Sequence, residues 1–247
     1  MGAAVRFEGV GKAFDRHAVL QGLDLEVPKG TTISVLGGSG SGKTVLLRLS
    51  AGLIKPDRGR IEVLGVEVSA LAEEDLLPLR RRMGFVFQGA ALFDSLSVFE
   101  NVAYPLREHT RLPEREVAAR VHEKLALVGL RDVDEKLPAE LSGGMRKRVG
   151  IARALVLDPE LVLYDEPTAG LDPTNARLIT ALLEGLKRQG VSETSMIVTH
   201  DLDFARTVSD LIAVLIRGRI AQVGPPAAVF DSREPEVQAF LAGQLAL

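Results

Sequence analysis

The most informative chemistry in this sequence lies in a glycine-rich segment. Gly37-Gly38-Ser39-Gly40-Ser41-Gly42-Lys43-Thr44 fits the pattern G-x-x-x-x-G-K-[ST], after an apolar run and before a helix-like segment. Such a loop wraps backbone N–H groups around a phosphate, because glycine has no Cβ to block the approach. Lys43 is then placed to reach the β- and γ-phosphates, and Thr44 to offer its hydroxyl to Mg²⁺. We interpret the segment as the phosphate loop of a nucleoside triphosphate site; a flexible Gly/Ser loop is the alternative.

Two adjacent acidic residues form a second group with catalytic potential. The run Leu161–Tyr164 predicts a buried strand, and Asp165 and Glu166 stand at its carboxyl end. Open α/β sheets bind ligands at the carboxyl ends of their strands, so both acids are placed to act on a nucleotide. We expect Asp165 to hold Mg²⁺, directly or through water, and Glu166 to polarise the attacking water. An exposed acidic turn is the alternative interpretation.

Two further polar side chains follow predicted strands. His200 comes directly after Ser195–Thr199, and Gln88 comes directly after Gly84–Phe87. An imidazole in this position can donate a hydrogen bond to the γ-phosphate, and a glutamine amide oxygen can coordinate Mg²⁺ or orient a water molecule. We therefore add both residues to the predicted catalytic set, with Gln88 also a candidate metal ligand. The alternatives are a structural or solvated histidine and a polar strand end.

A second turn with anion-binding character is Leu141-Ser142-Gly143-Gly144-Met145. A serine at the start of a predicted helix, followed by two glycines, exposes backbone N–H groups that can surround an anion. The turn can therefore bind a phosphate group. An ordinary serine N-cap without a ligand is the alternative.

Composition narrows the function classes further. The 247-residue chain is 46% hydrophobic and 26% charged, as in ordinary globular proteins, and its net charge of −3 gives no general attraction to nucleic acid. The absence of cysteine excludes disulfides, thiolate catalysis and zinc–thiolate sites. We expect no secretory signal in the first ten residues, and the apolar run Leu211–Ile216 is too short to span a bilayer. If the protein acts at a membrane, we expect other chains to hold it there.

The elements that must position these residues alternate between predicted strands and helices. This alternation indicates an α/β fold with a mostly parallel sheet. Ser97 and the pair Asp172-Pro173 predict helix N-termini. We predict a single domain of residues 1–247, in which a helical subdomain of about residues 89–157 is inserted into a core of about residues 1–88 and 158–247.

Taken together in their order along the chain, these motifs resemble those of the ATP-binding subunit of an ATP-binding cassette (ABC) transporter. The resemblance spans nearly the whole chain and rests on Gly37–Thr44, Gln88, Leu141–Met145, Asp165-Glu166, Ala169–Asp172 and His200. It implies a P-loop NTPase cassette with a mostly parallel RecA-like core, an antiparallel β subdomain and an inserted helical subdomain. It also implies ATP hydrolysis, with Thr44, Gln88 and Asp165 as the Mg²⁺ ligands.

The resemblance further implies that two copies of the chain clamp two ATP molecules between them. Phe14 would stack on adenine, Ser142 and Gly144 would contact the γ-phosphate held by the other copy, and Asp172 would join the two sites. The implied nucleotide-binding set is Phe14, Gly37, Gly38, Ser39, Gly40, Ser41, Gly42, Lys43, Thr44, Ser142, Gly143, Gly144, Met145 and Asp172. Met145 stands where many cassettes have glutamine, which puts one polar contact with the nucleotide in doubt.

The sequence resembles one branch of this family in particular. The segment Gly89–His109, together with Met145, resembles the MlaF-type ATPases of MCE (Mla) phospholipid transporters. That branch implies a multi-span, MlaE-like permease and an MCE-domain lipid-binding protein as partners, and a peripheral location on the cytoplasmic face of the inner membrane. An importer ATPase for another solute is the alternative. The tail from Pro235 onward has apolar residues at helical spacing and can dock on its own chain or on a partner.

Three other functions fit the phosphate loop less well. A soluble ABC ATPase on nucleic acid usually carries a long insertion or two cassettes, whereas this chain has neither. We therefore interpret Arg80-Arg81-Arg82 and Arg146-Lys147-Arg148 as solvated or interface faces and expect no nucleic-acid partner. Two features, His200 and the turn that begins at Ser142, argue against a small-molecule kinase. A non-catalytic cassette is disfavoured because every expected acid and phosphate ligand is present.

Overall fold

The structure is a computed structural model that describes residues 2–15, 17–191 and 194–244. The described residues form two units, one from those among 1–80 and 193–247 and the other from those among 81–192. The second unit contains the segment predicted to be helical, residues 89–157, together with strands and a helix outside that segment.

Strands and helices alternate along the chain. The elements begin with β1 (Ala3–Phe14), β2 (His17–Pro28), β3 (Thr32–Leu36), α1 (Lys43–Ser50), β4 (Arg58–Val63), β5 (Val66–Glu67), α2 (Leu77–Arg80), β6 (Met83–Val86), α3 (Val98–His109), α4 (Glu114–Leu127) and α5 (Gly143–Leu155). They continue with β7 (Leu161–Asp165), α6 (Pro173–Arg188), β8 (Thr194–Thr199), α7 (Leu202–Val208), β9 (Leu211–Ile216), β10 (Arg219–Gly224), α8 (Pro226–Phe230) and α9 (Pro235–Leu241). Within the described ranges, no helix combines the length and the apolar character that a membrane crossing requires.

The first unit holds an antiparallel sheet with the strand order β2-β1-β4-β5. Strands β1 and β2 are 12 residues long each, and they pair as a hairpin. Alternate residues, including Phe7, Leu23 and Leu25, are buried on one face of the sheet. Because Phe14 is the last residue of β1, the hairpin fixes its position.

The first unit also holds strands in the order β10-β9-β3-β8. Strand β3 pairs in parallel with both β8 and β9, whereas β9 and β10 are antiparallel. Every residue of β3 and β8 is buried, as is typical of parallel strands covered on both faces. The register pairs Leu36 with Thr199, so the residues after both strands begin at the same edge.

The second unit combines a parallel strand pair with helices. Strands β6 and β7 pair in parallel, with Val86 opposite Tyr164. Helices α3, α4 and α5 contact one another. Their buried residues recur at helical spacing, for example Val102 and Leu106 on α3 and Val121 and Leu125 on α4.

Both predicted helix N-termini are confirmed. Ser97 Oγ accepts a hydrogen bond from the Glu100 N–H at 3.2 Å. Asp172 Oδ1 accepts one from the Thr174 N–H at 3.0 Å and one from the Asn175 N–H at 3.1 Å. Helix α3 continues through Pro105 to His109. Buried residues on both sides of Pro105 keep the helix intact although proline lacks the N–H for one helical hydrogen bond.

The described part of the tail docks on its own chain. Val237 of α9 is fully buried in an apolar cluster with Leu36 and Ile212, and Phe240 and Leu241 pack against the same cluster. Residues 245–247 lie outside the described residues. Helix α9 therefore supports the strand that leads into the glycine-rich segment.

Candidate nucleotide site

The glycine-rich segment lies between β3 and α1, as predicted, and forms a tight turn. Gly40 and Gly42 have φ angles of 75° and 102°, in the left-handed region that favours glycine. A Cβ on Gly37 would lie 2.5 Å from Ser41 Oγ and 2.8 Å from the Leu215 carbonyl oxygen, so a side chain does not fit there. The first turn of α1 carries no acidic residue, which leaves the positive end of its dipole favourable to an anion.

Lys43 is folded back over this turn. Its Nζ donates hydrogen bonds to the carbonyl oxygens of Gly37 at 2.8 Å and Gly38 at 2.9 Å, and the residue is only 7% exposed. The ammonium group thus lies where the loop would hold a phosphate. Charge-assisted hydrogen bonds to phosphate oxygens are stronger than those to neutral carbonyls. Thr44 follows in the first turn of α1 and is half-buried.

Ser41 gives the clearest sign of a ligand. Its Oγ is buried and has no hydrogen-bond partner among the described residues. Leaving a buried hydroxyl without a partner costs about 1–3 kcal/mol, so a ligand atom is expected at this position. Gly37 adjoins both groups, because its carbonyl oxygen accepts from the Lys43 ammonium and a Cβ on it would lie 2.5 Å from Ser41 Oγ. An ammonium group and glycine N–H groups are donors that suit a phosphate. The residues present therefore fit a nucleoside triphosphate.

His200 lies at the edge where the phosphate loop begins. It is exposed and directly follows Thr199, which pairs with Leu36, the residue before Gly37. Asp201 fixes the backbone that follows His200. Its Oδ1 accepts a hydrogen bond from the Phe204 N–H at 3.0 Å and so caps α7. The first unit thus brings His200 and the start of the phosphate loop together at one edge of the sheet.

Phe14 presents an aromatic ring at the end of β1. The residue is 44% exposed, and Lys12 Nζ lies 5.3 Å from its ring centroid. The side-chain hydrogen bond from Lys12 and the Ala13 N–H hold the pKa of the Asp57 carboxyl below its usual value. The ion pair with Asp57, at 2.7 Å, holds Lys12 beside a ring that can stack on a base. The stacking role of Phe14 stays a prediction.

A cavity of about 640 Å³ opens beside the phosphate loop within the first unit. It is lined by Gly38–Ser41, by His17–Val19 at the start of β2, by Arg217 between β9 and β10, and by Phe240 of α9. Its volume lies in the range of small-molecule sites. The sequence reasoning missed Arg217 and Phe240 as neighbours of the loop, because both come from the far end of the chain.

The acid pair lies in the second unit and is buried. Asp165 ends β7 at 6% exposure, and Glu166 follows it at 8%, so the interpretation as an exposed acidic turn is wrong. Glu166 has a φ of 47°, a left-handed conformation that is uncommon outside glycine. Its carbonyl oxygen accepts a hydrogen bond from the Ala169 N–H at 3.1 Å. Backbone strain of this kind costs about 1–3 kcal/mol and concentrates at functional sites.

Gln88 reaches the same edge of the second unit. It stands two residues after Val86, just as Glu166 stands two residues after Tyr164, the partner of Val86 in the strand pair. The side chain is exposed. The second unit therefore brings Gln88, Asp165 and Glu166 to one end of its parallel strands.

The turn at Ser142 begins helix α5. Ser142 Oγ accepts a hydrogen bond from the Met145 N–H at 3.2 Å, so the residue is the N-cap. Ser142 and Gly143 are exposed, Met145 is half-buried, and a Cβ on Gly144 would lie 2.4 Å from Asn175 Oδ1. The capping role is established, and contact with a nucleotide at this turn stays a prediction.

Asp172 caps α6 in the same unit and is exposed. The side-chain hydrogen bond from Asn175 is the main reason that the pKa of its carboxyl lies below the usual value. The backbone N–H groups of Asn175 and Thr174 act in the same direction. The carboxylate thus stays ionised at the surface, where another chain can reach it.

The basic run after this turn corrects one expectation. Arg146 donates to the Leu141 carbonyl oxygen at 2.9 Å, Lys147 to that of Glu166 at 3.0 Å, and Arg148 to that of Gly129 at 3.0 Å. Lys147 is buried and Arg148 half-buried, whereas Arg146 is exposed, so only part of the run has the solvated character expected of it. Periodicity could not reveal Lys147 as a neighbour of the acid pair, since nothing local indicates a contact 19 residues away.

A magnesium ion fits only together with a nucleotide. No group of three His, Cys, Asp or Glu side chains in the described part of the chain is arranged to hold a metal. Magnesium in nucleotide sites is bound by one or two protein oxygens together with water and phosphate oxygens. Asp165 and Gln88 in the second unit and Thr44 in the first unit each offer an oxygen donor of that kind, and their role as magnesium ligands stays a prediction.

Comparison with known proteins gives consistent matches. Residues 20–169 match the family described as ABC transporter. The chain is 41% identical, over 99% of its length and 70% of the relative, to the probable ribonucleotide transport ATP-binding protein mkl of Mycobacterium leprae (strain TN). It is 38% identical, over 92% of its length and 86% of the relative, to the intermembrane phospholipid transport system ATP-binding protein MlaF of Haemophilus influenzae.

A solved structure is also similar to this chain. It is a dimeric structure of a post-hydrolysis state of the ATP-binding cassette MJ0796 bound to ADP and phosphate. The TM-score is 0.83 at 32% identity, and the match covers 90% of this chain and 98% of that one.

Proposed function

The chain belongs to the ABC transporter family, and from that premise we propose that it powers phospholipid transport by an MCE/Mla-type membrane complex. The matches confirm the predicted fold class and ATPase activity, and the use of ATP with Mg²⁺. The cargo, the partners and the roles of individual residues are the proposal.

ATP binds at the phosphate loop in this proposal. The observation that carries it is the buried Ser41 hydroxyl without a partner among the described residues, in the same loop as the Lys43 ammonium. The loop N–H groups, from Gly37 to Thr44, surround the β- and γ-phosphates, and Phe14 stacks on the base. Lys43 exchanges its two carbonyl acceptors for phosphate oxygens, which strengthens its hydrogen bonds.

Hydrolysis depends on positioning and on charge. When bound, Mg²⁺ neutralises charge on the phosphate oxygens, and Thr44, Gln88 and Asp165 are the residues that would hold it. Glu166 accepts the proton of the attacking water, and His200 donates a hydrogen bond to the γ-phosphate. The left-handed backbone of Glu166 and its burial support a fixed carboxylate rather than a solvated one.

A second copy of the chain completes each site. Its Ser142 and Gly144 contact the γ-phosphate, Gly143 and Met145 complete the turn that faces the nucleotide, and its Asp172 connects the two sites. The dimeric state of the similar cassette supports this arrangement. Each copy carries both kinds of phosphate-binding turn, so two copies related head to tail form two sites.

The lipid branch is supported by the relative named for phospholipid transport, of which the chain covers 86%. Within the segment Gly89–His109, the rings of Phe93 and Tyr104 lie 4.9 Å apart and are partly exposed. We assign this segment to contact with a multi-span, MlaE-like permease, in a complex with an MCE-domain protein at the cytoplasmic face of the inner membrane. The alternative is another solute, because a similar relative is named for ribonucleotide transport.

Reconstitution of the complex tests the proposal. The chain, an MlaE-like permease and an MCE-domain protein are placed in liposomes, and ATP hydrolysis is followed together with transfer of a fluorescent phospholipid. We expect lipid transfer that requires ATP. We also expect Glu166→Gln to lower turnover by roughly 10²–10⁴-fold while ATP stays bound.

Two results would contradict the proposal in different ways. Labelled ribonucleotide uptake without lipid transfer would reject the lipid branch and leave the ATPase assignment intact. Undiminished hydrolysis by Glu166→Gln would remove Glu166 from its role.

A further inference from the structure

Lys147 is a buried lysine that the catalytic scheme above does not use. It lies in the second turn of α5 at 5% exposure, and its Nζ donates a hydrogen bond to the Glu166 carbonyl oxygen at 3.0 Å. Burial lowers the pKa of its ammonium group, whereas the nearby carboxylates of Glu166 and Asp165 act in the opposite direction. A long cationic side chain is buried only where it has partners, and here the partner is the backbone of the residue assigned as catalytic base.

The same carbonyl oxygen has a second donor. The Ala169 N–H also donates to Glu166 O, at 3.1 Å, and closes the turn that follows β7. Glu166 holds its left-handed φ of 47° within that turn. A strained backbone persists only when its surroundings fix it. Lys147 supplies a contact to the strained residue from a different helix.

A second contact links α5 to the segment after Glu166. Gly144 packs so closely against Asn175 that a Cβ would lie 2.4 Å from Asn175 Oδ1. Asn175 in turn donates its backbone N–H to Asp172. The first two turns of α5 are therefore joined to residues 166–175 at two points, one of which is the Lys147 hydrogen bond.

The neighbouring cations show that this contact is specific. Arg146 donates to the Leu141 carbonyl oxygen and Arg148 to that of Gly129. Both acceptors lie outside residues 165–169, which we call the acid turn. Of these three consecutive basic residues, Lys147 is the one that donates to the acid turn. The contact with the Glu166 carbonyl oxygen is therefore a property of Lys147 and not of the whole basic run.

We propose that Lys147 is a positioning residue for Glu166, which fixes the backbone turn that aims the carboxylate at the attacking water. This inference rests on the proposed function. It also implies a route of communication, since α5 begins at Ser142, the turn assigned to the nucleotide held by the second copy. Closure on that nucleotide is then transmitted to Glu166 through Lys147.

The test compares Lys147→Met with Lys124→Met. Methionine keeps an unbranched apolar stem and removes the donor. Lys124 is a matched control, because it is also buried, at 6% exposure, and pairs with Asp158 at 2.7 Å, away from the acid turn. We expect Lys147→Met to lower kcat by about 10- to 100-fold with little change in KM for ATP, since misplacement of a reacting group acts on the chemical step. Lys124→Met keeps the wild-type kcat.

A double variant separates positioning from a general structural effect. Without the Glu166 carboxylate there is nothing left to position, so Lys147→Met is expected to cause no further loss in the Glu166→Gln background. Hydrogen exchange without nucleotide gives an independent readout, in which the Ala169 amide exchanges faster in Lys147→Met and at the wild-type rate in Lys124→Met. Should Lys147→Met not fold, Lys147→Gln keeps an N–H donor one methylene shorter and is expected to lower kcat by a smaller factor.

The possible failures are distinguishable. Wild-type kcat in Lys147→Met, or an equal further loss in the Glu166→Gln background, overturns the inference alone. A complete lack of hydrolysis in the wild type and in Lys124→Met overturns the proposed function, and this inference with it.

Discussion

At the scale of single residues, Lys43 has a structural contact that can be separated from its proposed ligand contact. Without a nucleotide its ammonium donates to two carbonyl oxygens of its own loop, at 2.8 and 2.9 Å. Lys43→Ala removes these bonds together with the charge that faces the phosphates. We expect the variant to lose about 2–5 kcal/mol of ATP binding free energy, as in other truncations of buried charge pairs. Equilibrium binding of a fluorescent ATP analogue measures this loss.

Lys55 provides the control for Lys43. It also donates to two backbone carbonyl oxygens in the first unit, those of Val68 at 2.6 Å and Leu71 at 2.5 Å. Lys55→Ala therefore removes a similar pair of hydrogen bonds whose donor and acceptors all lie outside the phosphate loop. We expect it to keep the wild-type Kd for ATP. Tight ATP binding by Lys43→Ala would contradict the phosphate-loop interpretation.

Ser142 allows a similar separation of capping from ligand binding. Ser142 and Ser97 are both N-caps, and each Oγ accepts one backbone N–H at 3.2 Å. Replacing either by alanine is expected to cost about 0.5–2 kcal/mol of stability through the lost cap. ATP hydrolysis should fall markedly in Ser142→Ala alone, because Ser97 has no assigned ligand role. A urea titration of each variant checks that the two have lost similar stability. Equal ATPase rates in the two variants would then mean that Ser142 acts only as an N-cap.

At the scale of elements, the sequence predicted those features that depend only on residues close to one another along the chain. The Ser97 and Asp172 caps could be read from the sequence because a cap depends on residues within one helical turn. The continuation of α3 through Pro105 could not be read from the sequence, because it depends on the packing of buried residues against other helices. The burial of Lys147 could not be predicted for the same reason, since its acceptor lies in another element.

The placement of the site residues followed from a simpler rule. Strand ends in a parallel sheet share an edge, so the pairing of Leu36 with Thr199 placed His200 beside the start of the loop, as the sequence led us to expect. Phe240 reaches the cavity by another route, because α9 folds back on the first unit through apolar contacts that carry no motif. Arg217 reaches the cavity from the turn between β9 and β10.

Helix α9 also carries a prediction at this scale. Val237 is fully buried in the cluster that contains Leu36, the residue before the phosphate loop. We expect Val237→Ala to lower the free energy of unfolding by about 1–2 kcal/mol, through the lost methyl groups and the cavity left behind. The matched control is Glu236→Ala, which removes an exposed ion pair with Arg217 and should change stability by less than about 0.5 kcal/mol. Urea unfolding measures both, and equal stability of the two variants would show that α9 does not support the first unit.

At the scale of the whole molecule, the arrangement of two phosphate-binding turns makes a prediction about assembly. In the proposed dimer, each site combines the Lys43 loop of one copy with the Ser142 turn of the other. Lys43→Ala and Ser142→Ala homodimers then have two defective sites each. A mixed dimer has one site with both defects and one intact site, because the two intact turns come from different copies.

Mixing the two variants should therefore restore ATP hydrolysis. With random pairing, half of the dimers are mixed and each has one intact site, so about a quarter of the wild-type rate is expected if the sites act independently. The control mixes Lys43→Ala with a chain that carries both substitutions, in which no pairing yields an intact site and no recovery is expected. Recovery in the first mixture alone requires that two copies share each site. A first mixture no more active than its components, under conditions where the wild type dimerises with ATP, would mean that each chain completes its own site.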